Sequence, residues 1–364
     1  MTEIVFILGA GASWHATGLL MDNFLQRARE LYRSGEVGEA QQDFKSVLGA
    51  VGMLRGLHSK AVLDLDNIET VYTAFEMGQL LGRLPGIEDA DTIGSLTSSI
   101  RKLIGYTLEN SMKLYQRGET DAPPAYYQFT DILTRLIRQR RDFAVITFNY
   151  DLGLDYSLVR RGLLPDYALN DVELRGRHVT LLKLHGSLNW GRCSNNECLK
   201  LTPYRQFQHA MYHPQGKYSI LPVISNLKGM KCQCGAPLEE EPVLIPPTWN
   251  KTSFHGQIEQ VWRNAADVLR DAEHIFVIGY SLPETDWFFN YLFALGVDMT
   301  TPVSQFYVVN SDGGVEKRFK DILGPDVSGK LLMDSITFEE FVRKPNPLWP
   351  DDSPQVIPVQ RPGR

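Results

Sequence analysis

The chain has 364 residues, 43% of them hydrophobic and 22% charged, with a formal net charge of −6. Such a composition is ordinary for a globular protein, and the length predicts about two domains or one large domain with insertions. The acidic balance and the lack of a long basic run argue against direct nucleic-acid binding. No stretch approaches the roughly 18 apolar residues of a membrane helix, and the N terminus lacks the charged lead of a signal peptide, so we expect a cytoplasmic protein without membrane contact.

Five short runs rich in Val, Ile and Phe are spaced along the chain. They are Ile4–Leu8, Phe143–Phe148, Val179–Leu184, His274–Gly279 and Gln305–Asn310. Near-continuous apolar runs are typical of parallel strands that are covered on both faces, and helical patterns separate these five. The sequence therefore predicts an α/β fold with a doubly wound, mostly parallel, Rossmann-like sheet.

The spacing of these strands predicts insertions into the sheet core. The predicted parts are a core of residues 1–22, 140–189 and 243–342, a helical insertion of residues 23–139, a cysteine-bearing module of residues 190–242 and a proline-rich tail of residues 343–364. The insertion shows helical apolar stripes, for example at Phe129, Ile132, Leu133 and Leu136. The tail lacks periodicity, and we expect it to be extended or disordered.

Each predicted strand ends in a polar or glycine-rich turn. The turn residues that could contact a ligand are Gly9, Ala10, Gly11 and Ser13 after the first strand, Asn149 and Asp151 after the second, His185 after the third, Gly279 and Ser281 after the fourth, and Asn310 after the fifth. Taken singly, each could be a plain turn former or a structural residue. In a doubly wound sheet, however, ligands bind outside the carboxyl ends of the strands, so the five turns together predict one binding crevice.

Four cysteines lie in the second insertion. Cys193 and Cys198 form a C-x4-C pair, and Cys232 and Cys234 form a C-x-C pair followed by a glycine. Two close pairs suit a closed, four-thiolate zinc site, which would be structural and would not activate water. The alternative is four unrelated buried thiols.

The turns carry a resemblance to a known family. The segments GAGAS, TFNYD, LHGS, IGYS and VVNSD occur in the order and rough spacing of the sirtuin NAD-binding motifs, with a cysteine module after the His-Gly turn as in sirtuins. The helical insertion lies outside this resemblance. The roles that it implies are phosphate binding for Gly9, Ala10, Gly11, Ser13, Gly279 and Ser281, a nicotinamide–ribose pocket with Asn149 and Asp151, a general base at His185 and an adenosine-ribose contact at Asn310.

The departures from the family bear on the reaction. Gly18–Arg27 lacks the Pro-Asp-Phe-Arg run of sirtuin deacylases, Phe148 replaces a glutamine, and Val243–Phe254 lacks their Phe-Gly-Glu loop. The segment GYSLPETDWFF is similar to the sirtuin-like domains of bacterial anti-phage systems, many of which hydrolyse NAD. The resemblance therefore implies an NAD hydrolase with NAD as substrate and a structural zinc. An NAD-dependent protein deacylase and a non-catalytic NAD- or ADP-ribose-binding subunit remain alternatives.

The same resemblance implies partners. We expect a homo-oligomer and a separate ATPase or sensor subunit of a defence system, because no sensor domain is evident in the sequence. Glu69, in an acidic helical stretch of the insertion, is expected at a solvated helix start, although it could reach the crevice.

Overall fold

The computed structural model of the chain describes residues 2–56, 60–87, 89–116, 120–169, 176–205, 211–212, 218–220, 222–245, 258–283, 286–296, 302–345 and 348. The strands are β1 (Ile4–Leu8), β2 (Leu114–Gln116), β3 (Thr120–Asp121), β4 (Phe143–Thr147), β5 (Leu164–Asp166), β6 (His178–Lys183), β7 (Gly186–Cys193), β8 (Leu201–Pro203), β9 (Met211–Tyr212), β10 (Tyr218–Ile220), β11 (Leu238–Leu244), β12 (His274–Ile278), β13 (Gln305–Val309) and β14 (Leu331–Asp334). The helices are α1 (Ala10–Thr17), α2 (Phe24–Ser34), α3 (Gln41–Arg55), α4 (Ile68–Leu81), α5 (Ala90–Ser111), α6 (Pro124–Arg138), α7 (Gly153–Arg160), α8 (Val223–Lys228), α9 (Glu259–Arg270), α10 (Trp287–Gly296), α11 (Val315–Ile322), α12 (Pro325–Ser328) and α13 (Phe338–Arg343).

The central sheet has seven strands in the order β14-β13-β12-β1-β4-β6-β5, and every neighbouring pair is parallel. After β1 the chain adds β4 beside it, then β5 at the edge and β6 between β4 and β5, and it then crosses to β12, β13 and β14 on the other side. The winding therefore reverses between β1 and β12, which is where a doubly wound sheet opens a crevice at its carboxyl edge. The predicted fold class is confirmed.

The five predicted strands agree with β1, β4, β6, β12 and β13 to within one residue at each end. The edge strands β5 and β14 did not stand out in the sequence. Their residues are half-buried or exposed more often than those of the central strands, as in the alternating exposure of β14. An edge strand has one open side, so it needs no continuous apolar run.

A single apolar cluster joins the sheet to the helices that cover it. Phe129, Leu133 and Leu136 of α6 are buried in this cluster, and the Phe129 ring meets Phe6 of β1 edge-on at 5.2 Å. The last helix of residues 23–139 therefore packs directly on the sheet, as a crossover helix does. The stripe predicted for α6 faces this core.

A second apolar cluster joins helices α2 to α5 with the cysteine-bearing module. It contains Phe44, Phe75 and Leu103 from the helices and Leu227 and Leu238 from the module. The module itself is a three-stranded antiparallel sheet, β11-β7-β8, with α8 beside it. The helices and the module thus share one core that is distinct from that of the main sheet.

No helix in the described ranges is both long enough and apolar enough to cross a membrane. The predicted proline-rich tail lies outside the described residues, apart from residues 343–345 and 348. The part of Val243–Phe254 beyond Ile245 also lies outside them.

Candidate functional site

The turn after β1 packs directly on the turn after β12. The Gly9 amide donates to the Ile278 carbonyl at 3.0 Å, and the Gly11 amide donates to the Gly279 carbonyl at 2.8 Å. A Cβ atom at Gly9 would lie 2.5 Å from Tyr280 Cα, and one at Gly279, where φ is +63°, would lie 2.3 Å from the Ala12 nitrogen. These glycines are therefore required for the close approach of two backbone turns at the crevice.

The turn after β4 is tied to the same place. The Asn149 side-chain amide donates to the Gly9 carbonyl at 2.8 Å. The Asp151 carboxylate accepts a hydrogen bond from the Ser13 hydroxyl at 2.5 Å and another from the Gly153 amide at 2.9 Å. The structure thus brings Gly9, Ser13, Asn149 and Asp151 together, as predicted for a common crevice.

Asp151 is more buried than a residue that would only line a binding site. It is 5% exposed, and Ser13, which is 4% exposed, also meets the Tyr126 hydroxyl at 2.8 Å. Burial raises the pKa of the Asp151 carboxyl, while the Lys183 ammonium, the Ser13 hydroxyl and the Gly153 amide oppose that rise. In the structure, Asp151 links the turns after β1 and β4, and its contact with nicotinamide stays a prediction.

His185 is buried in the turn after β6 and has a carboxylate partner. Its Nε2 atom is 3.1 Å from Asp286 Oδ1, and the Tyr280 hydroxyl donates to Asp286 Oδ2 at 3.0 Å. Both His185 and Asp286 are buried, with exposures of 8% and 5%. Asp286 is thus a functional candidate that sequence reasoning missed. It stands in the quoted segment GYSLPETDWFF, but nothing in a local pattern pairs it with a histidine on another strand.

Two aromatic rings lie beside the His185 ring. Phe148 and Tyr280 are stacked with centroids 4.3 Å apart and planes 4° apart, and Phe148 also meets the His185 ring edge-on at 5.1 Å. The Tyr150 ring also lies near the His185 ring, with centroids 5.9 Å apart and planes tilted by 32°. Phe148, which replaces the family's glutamine, therefore forms part of the wall around the predicted base.

The backbone that carries His185 is clamped to β11. Gly186 has φ of +80°, and a Cβ atom there would lie 2.1 Å from the Val243 carbonyl oxygen. The Ile245 amide donates to the His185 carbonyl at 2.7 Å, and the Tyr150 hydroxyl donates to the Ile245 carbonyl. Glycine at position 186 is thus needed both for the left-handed backbone and for this contact.

The turn after β13 joins the one after β12. The Asn310 side-chain amide donates to the Tyr280 carbonyl at 3.2 Å, and its oxygen accepts from the Asp312 amide at 3.0 Å. Ser281 is exposed on the neighbouring turn. These two residues therefore lie on adjoining turns, and their predicted contacts with NAD stay predictions.

Glu69 of the helical insertion was expected at a helix start. Glu69 follows Asn67, whose side chain caps the start of α4 by accepting from the Glu69 amide at 2.8 Å. Burial raises the pKa of the Tyr150 and Tyr280 hydroxyls, and the charges of Asp286 and Glu69 raise it further. Glu69 therefore lies in the first turn of α4, as expected, and its charge adds to the rise in the pKa of Tyr150 and Tyr280.

The four cysteine sulfurs converge. Sγ of Cys193 lies 3.5 Å from that of Cys234, Sγ of Cys198 lies 3.7 Å from that of Cys232, and all four atoms lie within 4.8 Å of one another. Thiolates about 2.3 Å from a tetrahedral zinc ion stand about 3.8 Å apart, so the donor set fits zinc. The alternative of four unrelated thiols is wrong.

The cysteine cluster lies away from the histidine. Strand β7 begins directly after His185 and ends at Cys193. At about 3.3 Å per residue, this extended strand separates the Cα atoms of His185 and Cys193 by up to about 26 Å. A metal ion held by the four cysteines would stabilise the module without contacting the crevice.

The fold and the crevice define a class: a doubly wound parallel-sheet protein with a polar site at its switch point and a four-cysteine module. Three solved structures that match it are a Sir2 homologue–NAD complex (15% identity, TM-score 0.40, 94% of this chain and 88% of that chain), Sir2 bound to an acetylated peptide (13%, 0.40, 95% and 92%), and Sir2 with an inhibitor, 2′-O-acetyl-ADP-ribose and a deacetylated peptide (14%, 0.40, 95% and 93%). Neither a protein-family model nor a curated protein matches this chain.

All three solved structures are named as Sir2 or a Sir2 homologue, the family that the sequence motifs resemble. The residues of the crevice bear on the substrate and the reaction.

Proposed function

We propose that this chain is an NAD-consuming enzyme that hydrolyses the bond between nicotinamide and ribose and releases nicotinamide and ADP-ribose. The observation that carries the proposal is the buried His185–Asp286 pair at the switch point of the sheet, with Nε2 and Oδ1 3.1 Å apart. A histidine held by a buried carboxylate is typical of a general base, because the carboxylate orients the ring and stabilises its protonated form.

The turns around this pair supply the groups that a dinucleotide needs. The turn at Gly9–Ala10–Gly11 leads into α1, whose N-terminal dipole favours a phosphate. We assign the diphosphate to this turn together with Ser13, Gly279 and Ser281. Asn149 and Asp151 are assigned to the nicotinamide end, and Asn310 to the adenosine ribose, as the resemblance implies.

The chemistry then follows from the charges in the crevice. The bond that breaks joins the cationic ring nitrogen of nicotinamide to a ribose carbon. The ribose carbon gains positive charge as this bond breaks. The carboxylate of Asp286, which holds His185, favours that charge. His185 takes a proton from the water whose oxygen bonds to the ribose carbon, and nicotinamide departs with the electron pair of the broken bond.

Water suits this site better than a lysine-bound acyl group as the acceptor. The His185 ring contacts the rings of Phe148 and Tyr150, and the residue is only 8% exposed. The sequence also lacks the deacylase segments named above. Structural zinc at the four cysteines is a proposal that rests on their converging sulfurs. A homo-oligomer and a partner ATPase or sensor of an anti-phage system are proposals that rest on the resemblance.

Product analysis tests this function. The full chain is incubated with NAD, with and without an acetyl-lysine peptide, and the products are separated by liquid chromatography. Nicotinamide and ADP-ribose without peptide support a hydrolase. Acetyl-ADP-ribose that forms only with peptide identifies a deacylase, and intact NAD with NAD binding retained identifies a binding subunit; either result refutes the proposal.

Matched variants test the assigned base. His185→Ala should lower kcat by about 10²- to 10⁴-fold, the usual contribution of a general base. Asp286→Asn should lower kcat as well, because the neutral amide stabilises the protonated ring less. His178→Ala is the control, since His178 is exposed and begins the same strand that ends before His185. Full activity in His185→Ala would contradict the assignment.

A further inference from the structure

A buried ion pair lies directly below the turns after β4 and β6. Lys183 is the last residue of β6, and its Nζ atom is 3.2 Å from Asp155 Oδ2 on α7, with both side chains 1% exposed. The same Nζ atom donates to the Asp151 carbonyl at 2.6 Å. The other Asp155 oxygen accepts from the Tyr167 hydroxyl at 2.5 Å, so the pair is bonded on both sides.

The pair joins the two turns that carry the proposed chemistry. Lys183 precedes His185 by two residues, and the carbonyl that it holds belongs to Asp151, two residues after Asn149. One ammonium group from the strand of the histidine therefore fixes the backbone of the neighbouring turn. This contact adds to the backbone hydrogen bonds from Leu184 to Thr147 and from Leu188 to Tyr150, which also join the two turns.

Stability alone does not call for a charged pair at this place. Moving two charges out of water costs several kcal/mol per ion, and replacing a buried ion pair by apolar residues of similar volume is often neutral or stabilising. The pair also does not face solvent, where charge would aid solubility. A role in geometry accounts for both its charge and its location.

We propose that Lys183 and Asp155 are positioning residues of the crevice, which hold the Asn149–Asp151 turn in register with His185 for NAD hydrolysis. This inference rests on the proposed function. Neither residue is assigned a contact with NAD, and both act through the turn above them.

The pair also influences the pKa of the Asp151 carboxyl. A purely structural role of the pair would not change this pKa, so the pKa provides a separate readout. The groups that face the Asp151 carboxyl are Ser13 of α1, Tyr126 of α6 through Ser13, Lys183 of β6, and Asp155 with the Gly153 amide of α7. Burial raises the pKa of Asp151, Lys183 lowers it and Asp155 raises it. Removing the Lys183 charge should therefore raise the pKa of Asp151 further, and removing the Asp155 charge should lower it.

The decisive variant replaces both charges by apolar groups. In the full chain, Lys183→Met with Asp155→Leu should still fold, yet kcat for NAD hydrolysis should fall by at least about tenfold. The comparison surface pair is Arg161 and Asp131, 2.6 Å apart and part-exposed. Changing these two to Met and Leu should leave kcat and KM unchanged.

The single variants test the sign of the charge effect. Lys183→Met should move the acidic limb of the pH–kcat profile to higher pH, and Asp155→Asn should move it to lower pH. Lys183→Met leaves a buried carboxylate unpaired and could fail to fold, whereas Asp155→Asn keeps an oxygen acceptor for Lys183.

Two results would overturn the inference. One is a folded double variant with wild-type kcat together with single variants whose pH profiles do not move, because the pair would then not position the site. The other is a double variant that no longer folds, because the pair would then be needed for stability. Wild-type protein that leaves NAD intact would instead refute the proposed function, so the two failures are distinguishable.

Discussion

Glu109 is a buried carboxylate whose replacement should stabilise the protein in a pH-dependent way. It lies near the end of α5, it is 5% exposed, and its Oε1 atom accepts from the Ile224 amide at 2.8 Å in the first turn of α8. Burial raises the pKa of Glu109 to about 7, although the backbone amides of Ile224 and Val223 oppose the rise. Ionised Glu109 is thus a cost to the contact between the helical insertion and the cysteine module.

The magnitude and sign follow from the two pKa values. Below an unfolded-state pKa of 4.5, the carboxyl is protonated in both states and the cost is absent. Between 4.5 and about 7 the unfolded chain releases its proton first, so the free energy of unfolding falls as pH rises. Above pH 7 the loss is up to about 3 kcal/mol, and at pH 5 it is less than about 1 kcal/mol.

Glu109→Gln should remove this cost while its side-chain oxygen still accepts from Ile224. With an unfolding entropy of about 2.1 cal/mol/K per residue, 3 kcal/mol is about 4 °C in the unfolding temperature of a chain this long. Calorimetry at pH 8 should show a gain approaching that size, and at pH 5 a much smaller one. Glu240→Gln, at an exposed position, is the control. Equal unfolding temperatures of wild type and Glu109→Gln at pH 8 would refute the reasoning.

Two other features give direct predictions. Gly186→Ala places a methyl group 2.1 Å from the Val243 oxygen in a left-handed turn, so it should lower the free energy of unfolding by more than about 3 kcal/mol. Gly162→Ala is the control, because φ there is +71° and nothing lies within 4 Å, and it should cost about 1 kcal/mol. Thermal unfolding measures both variants, and equal losses would contradict the clash. Wild-type protein should contain about one zinc per chain by elemental analysis. Cys232→Ser should lose most of this zinc, because one of the four thiolates is gone. The site would be contradicted if wild-type protein, purified without chelators, held no zinc.

Much of the fold could be predicted because its main strands are continuous apolar runs. Ile4–Leu8 is buried along its whole length, and such a run has few stable alternatives to a covered parallel strand. The edge strands lacked that signal. The crossover role of α6 also escaped prediction, since a helix stripe shows that a face is buried but not against which partner.

The site was predicted in part. Its turn residues could be found because the carboxyl ends of parallel strands share one edge, so His185, Asn149 and Gly9 were expected near one another. The carboxylates could not be assigned in the same way. Asp286 follows the fourth strand and His185 the third strand along the chain, and only the packing of their turns shows that one carboxylate holds that histidine.

The sequence by itself determined the class of sheet, the edge on which polar residues gather and the cysteines that converge, because these depend on local apolar runs, turn chemistry and residue type. Tertiary structure alone decided which groups bear on one another: the His185–Asp286 pair, the Phe148–Tyr280 stack, and Lys183 below the Asp151 turn. The physical reason is that hydrogen bonds and charges act over a few ångströms, and segments far apart in the chain come within that range only when the sheet is assembled.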